Sequence, residues 1–394
     1  MNERMYELGS KRSVIREIFE FGKKRAQEVG ADKVFDFSLG NPSVKPPQIV
    51  EDTLVELLQT EEATALHGYT SAQGDYATRK AIADYIARTH HVETDPDYIY
   101  MTCGAAASLT ISLSAICNRG DEVITFAPFF TEYRVFTQTV GAKLIELASD
   151  PDTFQIDFAL LERAFSAKTA AVLVNSPNNP SGVVYSESTI QRLAALLEEK
   201  SRQYNKTIYL ITDEPYRELV YGGVKVPYLT AYYKNTVVCY SYSKSLSLPG
   251  ERIGYIFVNP QAENAKKLYL SVCGAGRALG YVCAPSLFQK MVARCQGVTS
   301  DVSVYESNRD LLAGALRQYG YACVQPDGAF YLFVKALEED ANAFCERAKQ
   351  YGLLLVPGDD FGCKGYVRIA YCVSPEMISR SLPSFKKLAE EYGR

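Results

Sequence analysis

Thr236-Val-Val-Cys-Tyr-Ser241-Tyr-Ser243-Lys244-Ser-Leu-Ser-Leu-Pro-Gly250-Glu-Arg252-Ile-Gly254 concentrates more chemistry than any other stretch of this chain. An apolar, β-branched run ends in serines, one lysine, glycines and one arginine. Such a run suits a buried strand, which would deliver the lysine at its carboxyl end. A lysine amine is a useful nucleophile only when burial or nearby charge lowers its pKa. Serine hydroxyls and an arginine are groups that hold a phosphate. The segment therefore suits an aldehyde cofactor with a phosphate tail, pyridoxal phosphate, bound to Lys244 as a Schiff base. It equally suits a solvated Ser/Lys turn between two strands.

On either side of this stretch the chain alternates short apolar runs with amphipathic patterns. The runs fall at 98–103, 122–126, 170–175, 208–212 and 252–258, and helix-like stretches at 105–117 and 187–204. That alternation predicts an α/β sandwich around a mostly parallel sheet. A helix at 12–29 and the region after Pro285 read differently. There, helices at 300–318 and 341–351 alternate with short strands at 328–334 and 366–370. The expectation is a large α/β/α domain over 49–285 and a smaller α+β domain from 1–48 and 286–394. Pro42, Pro46 and Pro47 mark the crossing between them. Ligands of parallel sheets bind beyond the carboxyl ends of strands. Asn175, Asp213 and Lys244 each follow an apolar run.

Composition narrows the function classes. With 394 residues, 47% hydrophobic and 22% charged, the chain can bury a sizeable core. A net charge of −4 without a basic block gives no footprint for nucleic acid. No apolar run reaches membrane-spanning length, and the charged start lacks a signal-peptide core, so a soluble cytoplasmic protein is expected. Ten cysteines include no C-x-x-C, and only three histidines are present, so metal and Ser-His-Asp chemistry have little to draw on.

Other segments bear on the cofactor reading. Thr102-Cys-Gly104-Ala105-Ala106-Ala107-Ser108 follows a strand and opens a helix, where small residues let backbone N–H groups meet a phosphate; an ordinary Ala-rich helix start reads the same way. Asp213, in Ile211-Thr-Asp213-Glu214-Pro-Tyr216, could keep a pyridine nitrogen protonated, with Glu214 as the competing carboxylate. Asn175-Ser-Pro-Asn-Asn179-Pro-Ser-Gly182 is turn-rich. Pro128-Phe129-Phe130-Thr-Glu-Tyr133 offers an aromatic face. Arg368 stands inside a strand pattern, Tyr366-Val-Arg368-Ile-Ala.

Together these segments resemble the class I/II aminotransferases, fold-type I pyridoxal-phosphate enzymes, over most of the chain from Ser38 to Arg368. The resemblance implies that the Ala105 and Ala106 amides, Ser241, Ser243 and Arg252 hold the cofactor phosphate. It implies that Asp213 meets the ring nitrogen, Tyr216 and Asn179 the phenolic oxygen, and that Phe130 rather than Phe129 stacks on the ring. Gly40, Asn179 and Arg368 would bind the substrate carboxylate. Tyr69 would reach the phosphate of a neighbouring subunit, so a homodimer with shared sites is implied. The glycines of Cys273-Gly-Ala-Gly276-Arg277-Ala-Leu-Gly280 suggest a loop. By family resemblance its Arg277 would reach the partner's site and select acidic substrates; a solvated loop arginine is the alternative.

Transamination between an amino acid and a 2-oxo acid is the implied reaction, with Lys244 also moving the α-proton. The same residues serve β-elimination, so a C–S lyase is the alternative enzyme. A non-catalytic cofactor-binding regulator is less favoured, because one helix before Ser38 is too little for a winged helix-turn-helix. Aspartate-specific relatives often place a lysine early in the helix that begins here with alanines, which leaves the substrate open.

Overall fold

The computed structural model describes residues 1–10 and 14–394. In chain order its first six strands are β1 (Phe35–Asp36), β2 (Ile99–Thr102), β3 (Glu122–Ala127), β4 (Lys143–Ala148), β5 (Thr169–Asn175) and β6 (Tyr209–Asp213). They are followed by β7 (Thr236–Ser241), β8 (Gly254–Val258), β9 (Tyr331–Lys335), β10 (Leu353–Leu354), β11 (Val356–Pro357) and β12 (Tyr366–Ala370). Seven form one sheet in the order β2-β8-β7-β6-β5-β3-β4. Only β8 runs antiparallel to its neighbours. The mostly parallel mixed sheet expected from the apolar runs is thus present.

β5 shows why its sequence reads as a continuous apolar run. Val172 and Val174 enter one core layer with Ile190, Leu193 and Leu197 of the helix Glu187–Gln203. Ala171 and Leu173 enter the other with Leu109 and Leu113 of the helix Ala105–Ile116. Successive side chains of a strand point to opposite faces, and here helices cover both, so neither parity is polar. β4 was not anticipated. It is one of the two edge strands, half exposed, and its Lys143 and Glu146 break up the apolar run.

A separate antiparallel sheet, β11-β12-β9, forms the second unit. Its core gathers Tyr305 and Leu312 of the helix Ser303–Gln318, Phe344 and Phe385. Ile18, on the N-terminal helix Val14–Val29, packs with Phe333, Leu354 and Val356 of this unit. The helix start expected at Arg12 lies outside the described residues. The helix Ser286–Arg294 joins the other core: Met291 and Val292 pack with Val50, Ile82 and Met101. We therefore propose a domain boundary after Val298 rather than at 285.

One local expectation is overturned. The stretch around Gly274 and Gly276 is the end of a helix, Ala265–Ala278, and not a loop. A Cβ on Gly276 would lie 2.3 Å from the Tyr100 hydroxyl, so this glycine permits close packing on β2. Only Gly280, at φ 77°, acts as a terminator, with the Tyr281 N–H donating back to the Gly276 carbonyl at 2.8 Å. Among the described residues, no helix is long and apolar enough to cross a membrane.

Candidate active site

The carboxyl ends of β5, β6 and β7 converge on a cavity of about 270 Å³, lined from both units. Asn175 ends β5 and Asp213 ends β6. Lys244 lies in the short helix Tyr242–Ser245 that caps β7. Asn175 ties two of these ends together. Its Nδ2 donates to the Asp213 carbonyl at 2.8 Å, and its Oδ1 accepts from the Asn179 N–H at 2.7 Å.

The Lys244 Nζ donates to the Gly40 carbonyl at 2.7 Å. Burial lowers its pKa to about 8; Arg252 and Arg368 push the same way, against an opposing influence from Cys372. An amine so placed is far more often neutral near pH 8 than a free lysine. Asp213 is fully buried. Its carboxyl is raised to about 7 by burial, opposed by the Tyr133 hydroxyl, which donates to Oδ2 at 2.6 Å. Nothing among the described residues donates to its Oδ1. A buried carboxylate oxygen without a donor calls for a cationic N–H, the group a pyridinium supplies. Glu214, the competing carboxylate, is already engaged: it pairs with Arg217 at 2.5 Å and accepts from Thr212 Oγ1 at 2.8 Å.

On one side of the cavity the helix Ala105–Ile116 begins at Gly104, φ 86°. A Cβ there would come within 2.9 Å of the Arg252 guanidinium, so glycine lets the cation stand over the helix N-terminus. Arg252 itself has φ 51° and donates from Nη1 to the Pro249 carbonyl at 2.9 Å. A left-handed arginine is strained backbone, a feature that clusters at ligand sites. Ser241 Oγ caps the lysine helix by accepting from the Ser243 N–H at 3.2 Å, and the two hydroxyls lie 2.6 Å apart. Helix N-terminus, Arg252 and paired hydroxyls face one space, a cradle for a phosphate.

On the opposite side Arg368 is buried to 2% exposure. Its Nη2 donates to the Ser38 carbonyl at 2.5 Å and its Nη1 to Asn179 Oδ1 at 3.2 Å, while Nε has no acceptor among the described residues. Phe130 lines the cavity, edge-on to Tyr133 with ring centroids 5.7 Å apart. Phe129 instead lies in the core. Tyr216, buried, closes another wall, its hydroxyl 3.0 Å from that of Tyr331.

Two predicted residues are not brought into this cavity. Tyr69 is 99% exposed. Arg277 is exposed at the end of its helix. Their segments nevertheless adjoin, because Cys283 donates from its backbone N–H to the Ala72 carbonyl at 3.3 Å. Ile15, Leu39 and Tyr331 line the cavity without having been anticipated. Ile15 and Leu39 carry no chemical signature. Tyr331 lies within a predicted strand, where only its tertiary neighbours distinguish it.

Comparison with known proteins agrees with this geometry. The family model for aminotransferase class I and II matches residues 32–384. A crystal structure of an aminotransferase from Eubacterium rectale superposes with a TM-score of 0.99 at 58% identity, covering 100% of this chain and 99% of that one. The aspartate aminotransferase of Thermotoga maritima is 29% identical, over 91% of this chain and 92% of its own length. A probable aspartate/prephenate aminotransferase of Thermus aquaticus is also 29% identical, over 88% and 89%. These relatives favour transamination over the elimination alternative. The chain belongs to the class I and II aminotransferases, enzymes that move an amino group between an amino acid and a 2-oxo acid.

Proposed function

We propose that this aminotransferase holds pyridoxal phosphate in the cavity described above, linked to Lys244. The observation that carries the reading is the pairing of a buried Lys244, its pKa lowered by burial, with a buried Asp213 whose Oδ1 lacks a donor among the described residues. When bound, the cofactor supplies an aldehyde that bonds to amines and a pyridine ring that accepts the electrons released when a Cα–H bond breaks.

The residues divide the work. The Ala105 and Ala106 amides, Ser241, Ser243 and Arg252 hold the phosphate. Asp213 Oδ1 would accept the ring N–H and keep that proton in place, with Tyr133 fixing the carboxylate through Oδ2 and Asn175 fixing the Asp213 main-chain carbonyl. Tyr216 and Asn179 donate toward the phenolic oxygen, and Phe130 covers a ring face. Arg368 and Asn179, beside the backbone of Gly40, hold the α-carboxylate of the amino acid, with the free Nε as the additional donor. Lys244, as a free amine, would take the α-proton on Nζ. Its lowered pKa suits it to both accept and return that proton near neutral pH.

We further propose a homodimer in which Tyr69 reaches the partner's phosphate site and Arg277 its substrate pocket. Exposed Tyr69, Leu279, Tyr281 and Val282 support this. The ten free cysteines fit a reducing compartment, and a cytoplasmic location is proposed on that ground. Purified protein incubated with pyridoxal phosphate and a panel of amino acids, assayed for oxo acid, ammonia and thiol, tests the reading. Oxo acid formation that depends on a second oxo acid is expected. Ammonia or thiol release in its place would point to elimination.

A further inference from the structure

We infer that Tyr331 is a positioning residue that relays occupancy of the Arg368 carboxylate clamp to the phenolic side of the cofactor, acting through Tyr216. This rests on the reading of the site given above. Tyr331 opens β9 and is 3% exposed. Its hydroxyl lies 3.0 Å from the Tyr216 hydroxyl, and the two rings meet edge to face at 5.8 Å. The Arg368 guanidinium stands over its ring, 4.7 Å from the centroid. Its hydroxyl is pressed against the backbone at residue 40, where a Cβ would lie 1.9 Å away. One side chain thus touches the loop after β6, the clamp on β12 and the segment that accepts from Lys244.

The hydroxyl pair works as a relay because each phenol has one proton. If Tyr216 aims its proton at the cofactor, its oxygen can accept only from Tyr331. If Tyr216 donates to Tyr331, that proton is withdrawn from the cofactor. Tyr331 therefore sets how strongly Tyr216 donates. Arg368 controls Tyr331 in turn: a cation over a phenol ring polarises the O–H and makes it a better donor. A carboxylate bound to Arg368 neutralises that cation, weakens the Tyr331 donor, and through Tyr216 lessens stabilisation of the phenolic oxygen. Binding of a substrate carboxylate would then raise the basicity of the linked amine nitrogen at the moment a proton must be handled there. The other titratable groups facing this pair are Asp213 at the end of β6 and Cys372 after β12, with Lys244 lining the same cavity.

The test is an absorbance titration of the cofactor band against pH, in the unsubstituted holoenzyme and in Tyr331→Phe, with and without saturating propanoate. Propanoate offers a carboxylate but no amine. Tyr331→Phe should raise the propanoate-free midpoint by about 0.5–1 unit, as loss of one hydrogen bond to the charged form does. It should also at least halve the upward shift that propanoate produces in the unsubstituted enzyme. An unchanged midpoint, or a propanoate shift of undiminished size, overturns the relay. Because the ring is kept and one atom is removed, the thermal unfolding midpoint should stay within a few degrees. Absence of any cofactor band in the unsubstituted protein would overturn the site reading itself, a result distinct from a band that Tyr331→Phe leaves unmoved.

Discussion

The Tyr133 hydroxyl donates to Asp213 Oδ2 at 2.6 Å and leaves Oδ1 without a donor among the described residues. The bond lowers a pKa that burial raises. Tyr133→Phe should therefore lift the Asp213 pKa further and thin the carboxylate population near neutrality. Turnover should fall roughly ten-fold or more, in line with about 1.5–3 kcal/mol for a hydrogen bond to a charged group. The acidic limb of the kcat/KM–pH profile should move upward. A profile that does not move would show that Tyr133 only packs.

Asp213 and Glu214 are adjacent in sequence and opposite in role. Asp213→Asn removes the charge that would hold a proton on the ring nitrogen, and should lower the proton-transfer rate by about two decades or more. Glu214→Gln breaks the Arg217 pair at 2.5 Å instead, so its effect should appear chiefly as a lower unfolding midpoint. Stopped-flow spectra and thermal melts of both variants separate the two. Equal kinetic losses would contradict the assignment.

Burial of Lys244 has a stability consequence of definite sign. In the cofactor-free protein its pKa is pulled from 10.5 to about 8. Between those values the unfolded chain binds the proton and the folded one does not, so stability rises with pH across the window. The cost of burying the ammonium is fully present below about pH 8 and vanishes above 10.5. Lys244→Met should thus stabilise the cofactor-free protein by roughly 3 kcal/mol at pH 7. The gain should close toward pH 10.5, while transamination in the variant drops by several orders of magnitude. Denaturant titrations at pH 7 and pH 10.5 check the sign.

Arg277 is exposed on the end of a helix whose neighbouring residues include exposed Leu279, Tyr281 and Val282. If it enters a partner's pocket, Arg277→Ala should lower the ratio of kcat/KM for glutamate over alanine by roughly ten-fold or more, about 1.4 kcal/mol. An unchanged ratio would remove Arg277 from substrate selection.

What the sequence disclosed and what it hid follow one physical rule. Asn175, Asp213 and Lys244 were legible because a doubly covered parallel strand is an unbroken apolar run, and each residue stands where the run stops. β4 was not, because an edge strand carries charges such as Lys143 and Glu146. Gly276 misled because local sequence cannot separate a glycine that turns the chain from one that makes room, here for the Tyr100 hydroxyl. Tyr331 stayed hidden because its importance comes from Tyr216, Arg368 and Gly40, residues 115, 37 and 291 positions away in the chain. Contacts that long in sequence leave no local pattern.

The central claim is that Lys244 carries the cofactor. Protein loaded with pyridoxal phosphate, reduced with borohydride, digested and mapped by mass spectrometry tests it most directly. The account predicts that the visible band disappears on reduction and that one pyridoxyl label is found, on Lys244. A label on any other lysine, or none, would contradict it.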